Sequence, residues 1–395
     1  LLIVTGSIAA YKSIEILREL TNLNTNVKVI LTKGAEQFVR PLNFSALGAE
    51  EVFTDADAFS VDRLCISVHL SVSRWADAVL VAPASADFIA KISNGFADCL
   101  ACTTVLAFDN WKNVFIAPAM NAKMYHNPTT RNNEEFLRDL GVKFIGPASG
   151  KLADRSEGKG RMEEPEKIAQ IVSFSLAKGG FLTGKKVVVT AGATREYIDP
   201  VRFISNASSG AMGFEIAKAL KLAGAEVVLI AAHHTAMPPV SDEFYFADTT
   251  EDLLELTESN FRKADILIMA AAPVDFRPET KSSKKLKKKE KMVLNLTSTP
   301  DILKKISAGK NGKIIVGFAL QTEDVEKNAL KKMKAKNMDI VIANSQENLG
   351  KTKGSVIIMD KFGNKMIVRD KGKDFIARKI VNFLIEYIRK EVKNG

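Results

Sequence analysis

Val187-Val188-Val189-Thr190-Ala191-Gly192-Ala193-Thr194 is an apolar, strand-length run that breaks into a turn of small residues. The chain opens in the same way, with Leu1-Leu2-Ile3-Val4-Thr5 followed by Gly6-Ser7-Ile8-Ala9-Ala10 and a helical pattern to Leu20. The parallel continues further on. Ala76-Asp77 leads into an apolar strand over 78–82 and then Pro83, while Ala264-Asp265 leads into one over 266–272 and then Pro273. Continuous apolar strands alternating with amphipathic helices imply parallel sheets covered on both faces.

The pattern runs twice, so the fold expected is α/β with two Rossmann-like domains, each with a mainly parallel sheet. The N-terminal domain is expected over 1–178 and the C-terminal one over 179–395, joined near Lys178-Gly179-Gly180 after a helix over 165–177. In such sheets ligands bind beyond the carboxyl ends of the strands. That rule selects the loops 6–12, 32–34, 83–87 and 118–121, and in the second half 192–195, 271–277, 317–321 and Asn344.

The 395 residues are 46% hydrophobic and 26% charged, the composition of a globular chain, and suffice for two full cores. No apolar run approaches the roughly 18 residues of a membrane helix. The chain starts in mid-strand without Met, so its N-terminus is expected to be trimmed; no signal peptide is visible. Three cysteines, Cys65, Cys99 and Cys102, make no disulfide framework and imply a reducing cytoplasm. Cys99-x-x-Cys102 has the spacing of a metal or redox pair, but no second ligand pair accompanies it, and both are read as packing thiols. The net charge of +10 is concentrated: the stretch 281–291 holds seven Lys and one Glu. One basic loop is a local device, not the basic face a nucleic-acid binder needs. Neither half shows GxGxxG with a downstream acid, which argues against a dinucleotide-dependent dehydrogenase.

In the first half, the Gly6–Lys12 turn with Pro83-Ala84-Ser85-Ala86-Asp87 and Ala117-Pro118-Ala119-Met120-Asn121 resembles the homo-oligomeric flavin-containing cysteine decarboxylases over roughly residues 1–175. Asn121-Ala122-Lys123-Met124-Tyr125 is similar to the signature of the phosphopantothenoylcysteine decarboxylases among them. The resemblance implies a flavodoxin-like flavoprotein domain with FMN held by Gly6, Ser7, Ile8, Ala9, Thr32, Pro83, Ala84, Ser85, Ala86 and Ala119. It implies His69 as the catalytic histidine, whose near-neutral pKa suits proton transfer. It implies Asn121 as the holder of the carboxylate that is lost. A flavin supplies the electron sink that such a decarboxylation needs. The family's flap ends in Gly-x-Gly-Arg-Met, here Gly158-Lys159-Gly160-Arg161-Met162, but its proton-donating Cys is replaced by Asp154. Either Asp154 is a tuned acid, or another group donates the proton, or the reductive half-reaction is impaired. The alternative is an active ligase fused to a flavin domain whose reductive step is impaired or altered.

In the second half, Thr190-Ala191-Gly192-Ala193-Thr194-Arg195-Glu196, Asp199-Pro200-Val201-Arg202-Phe203-Ile204-Ser205-Asn206 and Ser208-Ser209-Gly210 resemble the phosphopantothenate–cysteine ligases. Gly192 and the Ser208-Ser209-Gly210 turn suit a phosphate before a helix. Arg202 offers a fork donor. The resemblance implies Asn206 as a contact to the acyl intermediate, Lys285 in Lys285-Leu286-Lys287-Lys288 as a contact to the triphosphate, and Ala271, Ala272 and Asp275 as nucleotide and substrate contacts. Pro300, Asp301, Ile302, Leu303, Phe318, Lys332 and Lys336 complete the nucleotide site; the two lysines share a helix face at i, i+4. Mg²⁺ bridging the phosphates is implied, with its protein ligands unassigned.

Together the halves imply a bifunctional ligase–decarboxylase of coenzyme A biosynthesis. Its substrates are 4'-phosphopantothenate, L-cysteine and CTP, with no nucleic acid and no membrane as partners. The resemblance also implies a homo-oligomer, with trimers of the flavin domain linked by dimers of the ligase domain into a dodecamer.

Overall fold

The chain divides into two units, Leu1–Leu176 and Ala177–Gly395. The computed structural model describes every residue except 62–65, 152–156, 178–179, 289–290, 322–323, 346–352 and 395. Cys65 and Asp154 therefore lie outside the described residues.

In the first unit the apolar runs become six strands: β1 (Leu2–Val4), β2 (Lys28–Leu31), β3 (Glu51–Phe53), β4 (Val79–Ala84), β5 (Val114–Pro118) and β6 (Lys143–Phe144). They form one sheet in the order β3-β2-β1-β4-β5-β6, and every pairing is parallel. β1, β4 and β5 are buried throughout, because helices cover both faces. Each fully buried Val, Ile or Leu of these strands contributes roughly 1.5–3 kcal/mol. The order reverses between β1 and β4, which makes their carboxyl ends the ligand crevice. A hairpin of β7 (Ala148–Lys151) and β8 (Glu157–Arg161) follows.

The second unit repeats the plan. Its strands are β9 (Lys186–Ala191), β10 (Arg195–Tyr197), β11 (Phe203–Ser205), β12 (Glu226–Ala231), β13 (Glu243–Phe246), β14 (Ile266–Met269), β15 (Phe276–Pro278), β16 (Leu296–Ser298), β17 (Ile314–Gln321), β18 (Ile340–Ser345), β19 (Lys353–Asp360) and β20 (Lys365–Gly372). The main sheet runs β13-β12-β9-β14-β17-β18-β19-β20. The pairings from β13 to β18 are parallel; β19 and β20 are added antiparallel. The reversal falls between β9 and β14. Two small antiparallel ribbons, β10–β11 and β15–β16, stand outside the sheet. Both domains are thus Rossmann-like with mainly parallel sheets, as expected. Among the described residues no helix is long and apolar enough to cross a membrane.

Candidate functional site

At the carboxyl-end rim of the first sheet, the loops after β1, β4 and β5 are tied into one surface. Buried Thr5 donates its hydroxyl to Pro83 O at 2.7 Å and accepts from Ser85 N–H at 2.9 Å. Ser7 Oγ donates to Ala119 O at 3.2 Å, and Ala119 N–H donates to Ala84 O at 3.0 Å. Ser7 caps the short turn Ile8–Tyr11, and Ser85 caps the helix Ala86–Ser93. Thr32 N–H bonds to Val4 O, so the loop after β2 joins the same rim. A Cβ on Gly6 would stand 3.1 Å from Gly34 Cα, so those two backbones meet where any side chain would part them. All ten residues expected at the flavin therefore belong to this one rim.

Asn121 follows β5 directly and caps the turn Ala122–Tyr125, its Oδ1 accepting from Lys123 N–H at 2.8 Å. That bond orients the amide. The turn is anchored from below: Tyr125 donates to buried Glu134, which also receives Arg138 Nε at 3.1 Å and Nη2 at 2.7 Å and pairs with Arg131. The hairpin strand β8 lies across the same segment, with Met120 N–H donating to Gly160 O at 3.0 Å. A Cβ on Gly158 would come within 2.8 Å of Ala122 Cβ, and one on Gly160 would collide with Met120 O. The two glycines of Gly-x-Gly-Arg-Met let the hairpin press on the Asn121 turn. His69 is half-buried, the second residue of the helix Val68–Trp75. That helix links parallel β3 to parallel β4 and so runs back against them, which puts its first turn at the same rim.

In the second unit a cleft of about 600 Å³ opens at the β9/β14 reversal. Its lining includes Asn206, Ser208, Ser209, Gly210, Ala271, Ala272, Asp275, Pro300, Asp301, Ile302, Leu303, Phe318, Lys332 and Lys336. Asn206 Nδ2 donates to Pro273 O at 2.9 Å and joins two walls of the cleft. Lys336 Nζ pairs with Asp301 Oδ2 at 3.0 Å, and Lys332 Nζ donates to Phe318 O at 3.1 Å. Burial pushes the Lys332 ammonium below its ordinary pKa, with Lys336 adding to the effect and Asp275 and Asp301 opposing it. Burial would raise Asp301, but hydrogen bonds from Lys336 and Lys304 N–H outweigh it and hold the carboxyl below its usual range.

Three expected residues are placed elsewhere. Gly192 lies outside the cleft lining, behind it, with φ of +81°; a Cβ there would meet His233 O at 2.6 Å. Arg202 does not offer a free fork. Its Nε and Nη2 donate to Asp199 Oδ2 at 2.9 and 2.5 Å, and Nη2 also donates to Leu286 O at 2.7 Å. Lys285 is exposed and lies outside the cleft lining. The structure also adds cations that sequence reasoning missed: Lys353 and Lys373 line the cleft. β19 is antiparallel, so its amino end arrives where the parallel strands have their carboxyl ends, and Lys373 follows the end of β20. With Lys332 and Lys336 they outnumber Asp275 and Asp301, which makes the cleft a place for a polyanion.

Two doubly wound units, each with its ligand rim at a strand-order reversal, one built of small capped loops and one basic, define a two-site α/β enzyme. The chain belongs to the family of bifunctional coenzyme A biosynthesis proteins. Residues 1–177 match the Flavoprotein family, and residues 182–388 match the DNA/pantothenate metabolism flavoprotein C-terminal domain. The chain is 42% identical over 373 residues to the coenzyme A biosynthesis bifunctional protein CoaBC of Bacillus subtilis (strain 168), covering 92% of this chain and 91% of that one. It is 36% identical over 392 residues to the protein of the same description from Haemophilus influenzae (strain ATCC 51907 / DSM 11121 / KW20 / Rd), covering 98% of this chain and 97% of that one. Among solved structures, the C-terminal domain of a coenzyme A biosynthesis bifunctional protein CoaBC is 32% identical, with a TM-score of 0.47, covering 54% of this chain and 100% of that one. The likeness to bifunctional relatives spans both halves and lends no support to the alternative of a flavin domain with an impaired reductive step.

Proposed function

We propose that the C-terminal unit ligates L-cysteine to 4'-phosphopantothenate at the expense of CTP, and that the N-terminal unit decarboxylates the product to 4'-phosphopantetheine. Membership of the bifunctional family over nearly the whole chain carries this reading. The basic cleft at the β9/β14 reversal gives the ligase half its site.

Lys332, Lys336, Lys353 and Lys373 would gather the triphosphate, and Phe318 would face the base. The substrate carboxylate attacks the α-phosphorus, so that pyrophosphate leaves and an acyl-cytidylate forms. The cysteine amine then attacks the acyl carbon, and CMP leaves. Asn206 would orient the acyl group, and Ser208 to Gly210 would hold phosphate at the head of the helix Ala211–Leu222. This is catalysis by positioning and charge stabilisation. Arg202 acts as a positioning residue, because with Asp199 it holds both backbone groups of Leu286 and so sets the place of Lys285 in the basic loop. Mg²⁺ would neutralise phosphate charge, held chiefly by the phosphates themselves. Asp301 is bridged to Lys336, which leaves Asp275 as the lining carboxylate to meet the ion.

The first rim fits FMN. Two capped turns lie side by side for a phosphate, and Ile8 and Tyr11, 60% and 56% exposed, present apolar surface beside them. When bound, FMN supplies the two-electron sink that makes the cysteinyl carboxylate a leaving group. Asn121 would hold that carboxylate, and His69 would move the thiol proton. The β7–β8 hairpin would exclude water, and Asp154, outside the described residues, would return a proton. On the same resemblance we place the enzyme in the cytoplasm, as flavin-unit trimers joined by ligase-unit dimers.

The ligase half is tested by omitting cysteine. CTP, Mg²⁺ and 4'-phosphopantothenate together should release pyrophosphate stoichiometric with enzyme and stop there. Continuous pyrophosphate release, or none with any nucleotide, contradicts the acyl-cytidylate.

A further inference from the structure

The two cysteines of Cys99-x-x-Cys102 lie at the N-terminal end of the helix Leu100–Leu106, where Leu100 N–H donates to Asp55 Oδ1 in the loop after β3. The sequence alone reads them as packing thiols, and Cys102 is indeed fully buried in a core cluster. Cys99 differs: it is only half-buried. Its sulfur accepts the Cys102 N–H at 3.3 Å. One carboxylate oxygen of Asp98 and the two sulfurs lie within 4.8 Å of one another. Asp98 in turn is held by Lys91 Nζ at 3.0 Å.

We infer that Cys99 and Cys102 form a reversible dithiol–disulfide couple, oxidised by small disulfides. The two thiols divide the work. Cys99 is the accessible nucleophile and Cys102 is the resolving thiol behind it. The titration behaviour agrees with this division. Hydrogen bonding from Cys102 draws the Cys99 thiol below its ordinary pKa against the effect of burial, while the same bond and burial push Cys102 up. In the first step the Cys99 thiolate attacks a disulfide RSSR, an S–S bond forms to one RS group, and RS⁻ leaves. In the second, Cys102 loses its proton to solvent and attacks the Cys99 sulfur. The second RS⁻ leaves, takes up a proton, and an intrachain disulfide remains. Overall two protein thiols and RSSR become one protein disulfide and two RSH, so electrons and atoms balance. Both sulfurs lie at one helix turn, within 4.8 Å of each other.

A metal is the rival use of the same cluster. Two thiolates and a carboxylate make three ligands, but the Lys91 ammonium already occupies the Asp98 carboxylate, and a cation would have to displace it.

The test uses the full-length holoprotein, reduced, desalted and incubated with glutathione disulfide. After acid quench, alkylation and trypsin, both cysteines fall in one peptide, residues 92–112, while Cys65 falls in another. The couple predicts that peptide about 2 Da lighter and closed to alkylation until reduced. It also predicts a single two-electron midpoint against glutathione buffers. Cys102→Ser should trap a mixed disulfide on Cys99, and Cys99→Ser should abolish both species. Three results overturn the proposal: full alkylation of both thiols at every buffer ratio, a mixed disulfide that persists in the native protein, and a cross-link to the Cys65 peptide. A stoichiometric zinc ion that blocks oxidation would also overturn it and assign the cluster to a metal.

Discussion

Asp199 and Arg202 close on each other and, together, on Leu286. The buried Asp199 carboxylate takes Arg202 Nε at 2.9 Å and the Leu286 N–H at 3.1 Å, while Arg202 Nη2 donates to Leu286 O at 2.7 Å. The basic stretch 281–291 is thus pinned at Leu286 to the turn between β10 and β11. Ser282 N–H adds a second tie to Ile198 O at 3.0 Å. Among the described residues the lysine run is tied at Ser282 and at Leu286, on either side of Lys285.

Asp199→Asn should weaken the Arg202 fork and release Leu286. We expect kcat of the ligase half-reaction to fall by roughly 10-fold or more, with decarboxylation of supplied 4'-phosphopantothenoylcysteine unchanged. Amide exchange at Leu286 should rise in the variant. Unchanged exchange there would show that the clip does not hold the loop.

The acid limb of that clip has a definite sign. Burial would raise the Asp199 carboxyl, but Arg202 and the Val201, Leu286 and Arg202 N–H groups outweigh it and hold it well below the usual range. A depressed carboxyl contributes stability that is present above its unfolded value, near 3.9, and is lost as pH falls through the folded one. The slowed exchange at Leu286 should therefore persist as pH is lowered to about 4 and fade below it. The Asp199→Asn substitution, which leaves an amide that does not titrate, should abolish that acid dependence.

Lys332 predicts proton uptake on nucleotide binding. Burial lowers its pKa in the empty cleft, and a triphosphate beside it would raise it. Below the lowered value the ammonium is charged in both states and no proton moves. As pH rises through that value, binding must recruit a proton and CTP affinity should fall. Calorimetry at alkaline pH in two buffers of different ionisation enthalpy measures the uptake, and Lys332→Met should remove it.

Gly160→Ala should push β8 off the Asn121 turn, since the new Cβ would collide with Met120 O. Overpacking of this kind costs about 1–3 kcal/mol. Decarboxylation should drop while flavin binding and ligation stay, which separates an effect on the turn from general unfolding. Equal loss of bound flavin would contradict this account of the hairpin.

Glu134→Ala should leave Tyr125 and two arginines without their buried acceptor, and lower the stability of the first unit by about 1–3 kcal/mol. Urea unfolding followed by flavin fluorescence reads the shift. Glu134→Gln should recover part of it through the remaining amide oxygen.

The doubled plan was legible because parallel strands buried on both faces are written as continuous apolar runs, and Val187 to Ala191 and Leu2 to Val4 are such runs. The carboxyl-end rule then found the loops that form the rims. It missed Lys353 and Lys373, since an apolar pattern does not say that β19 runs antiparallel. It also took Arg202 as a free donor, because no spacing reveals that Asp199, three residues earlier, folds back to take the fork. The turn glycines Gly158 and Gly160 were legible only as a motif; that they admit Met120 and Ala122 is visible in the fold alone.

The most direct test of the account is the mass of the product formed by the purified chain from 4'-phosphopantothenate, L-cysteine, CTP and Mg²⁺. Two working sites predict 4'-phosphopantetheine, reduced and lacking carbon dioxide, with CMP and pyrophosphate formed in equal amounts. Accumulation of the undecarboxylated cysteine adduct, an oxidised decarboxylated product, or no ligation with any nucleotide would contradict it.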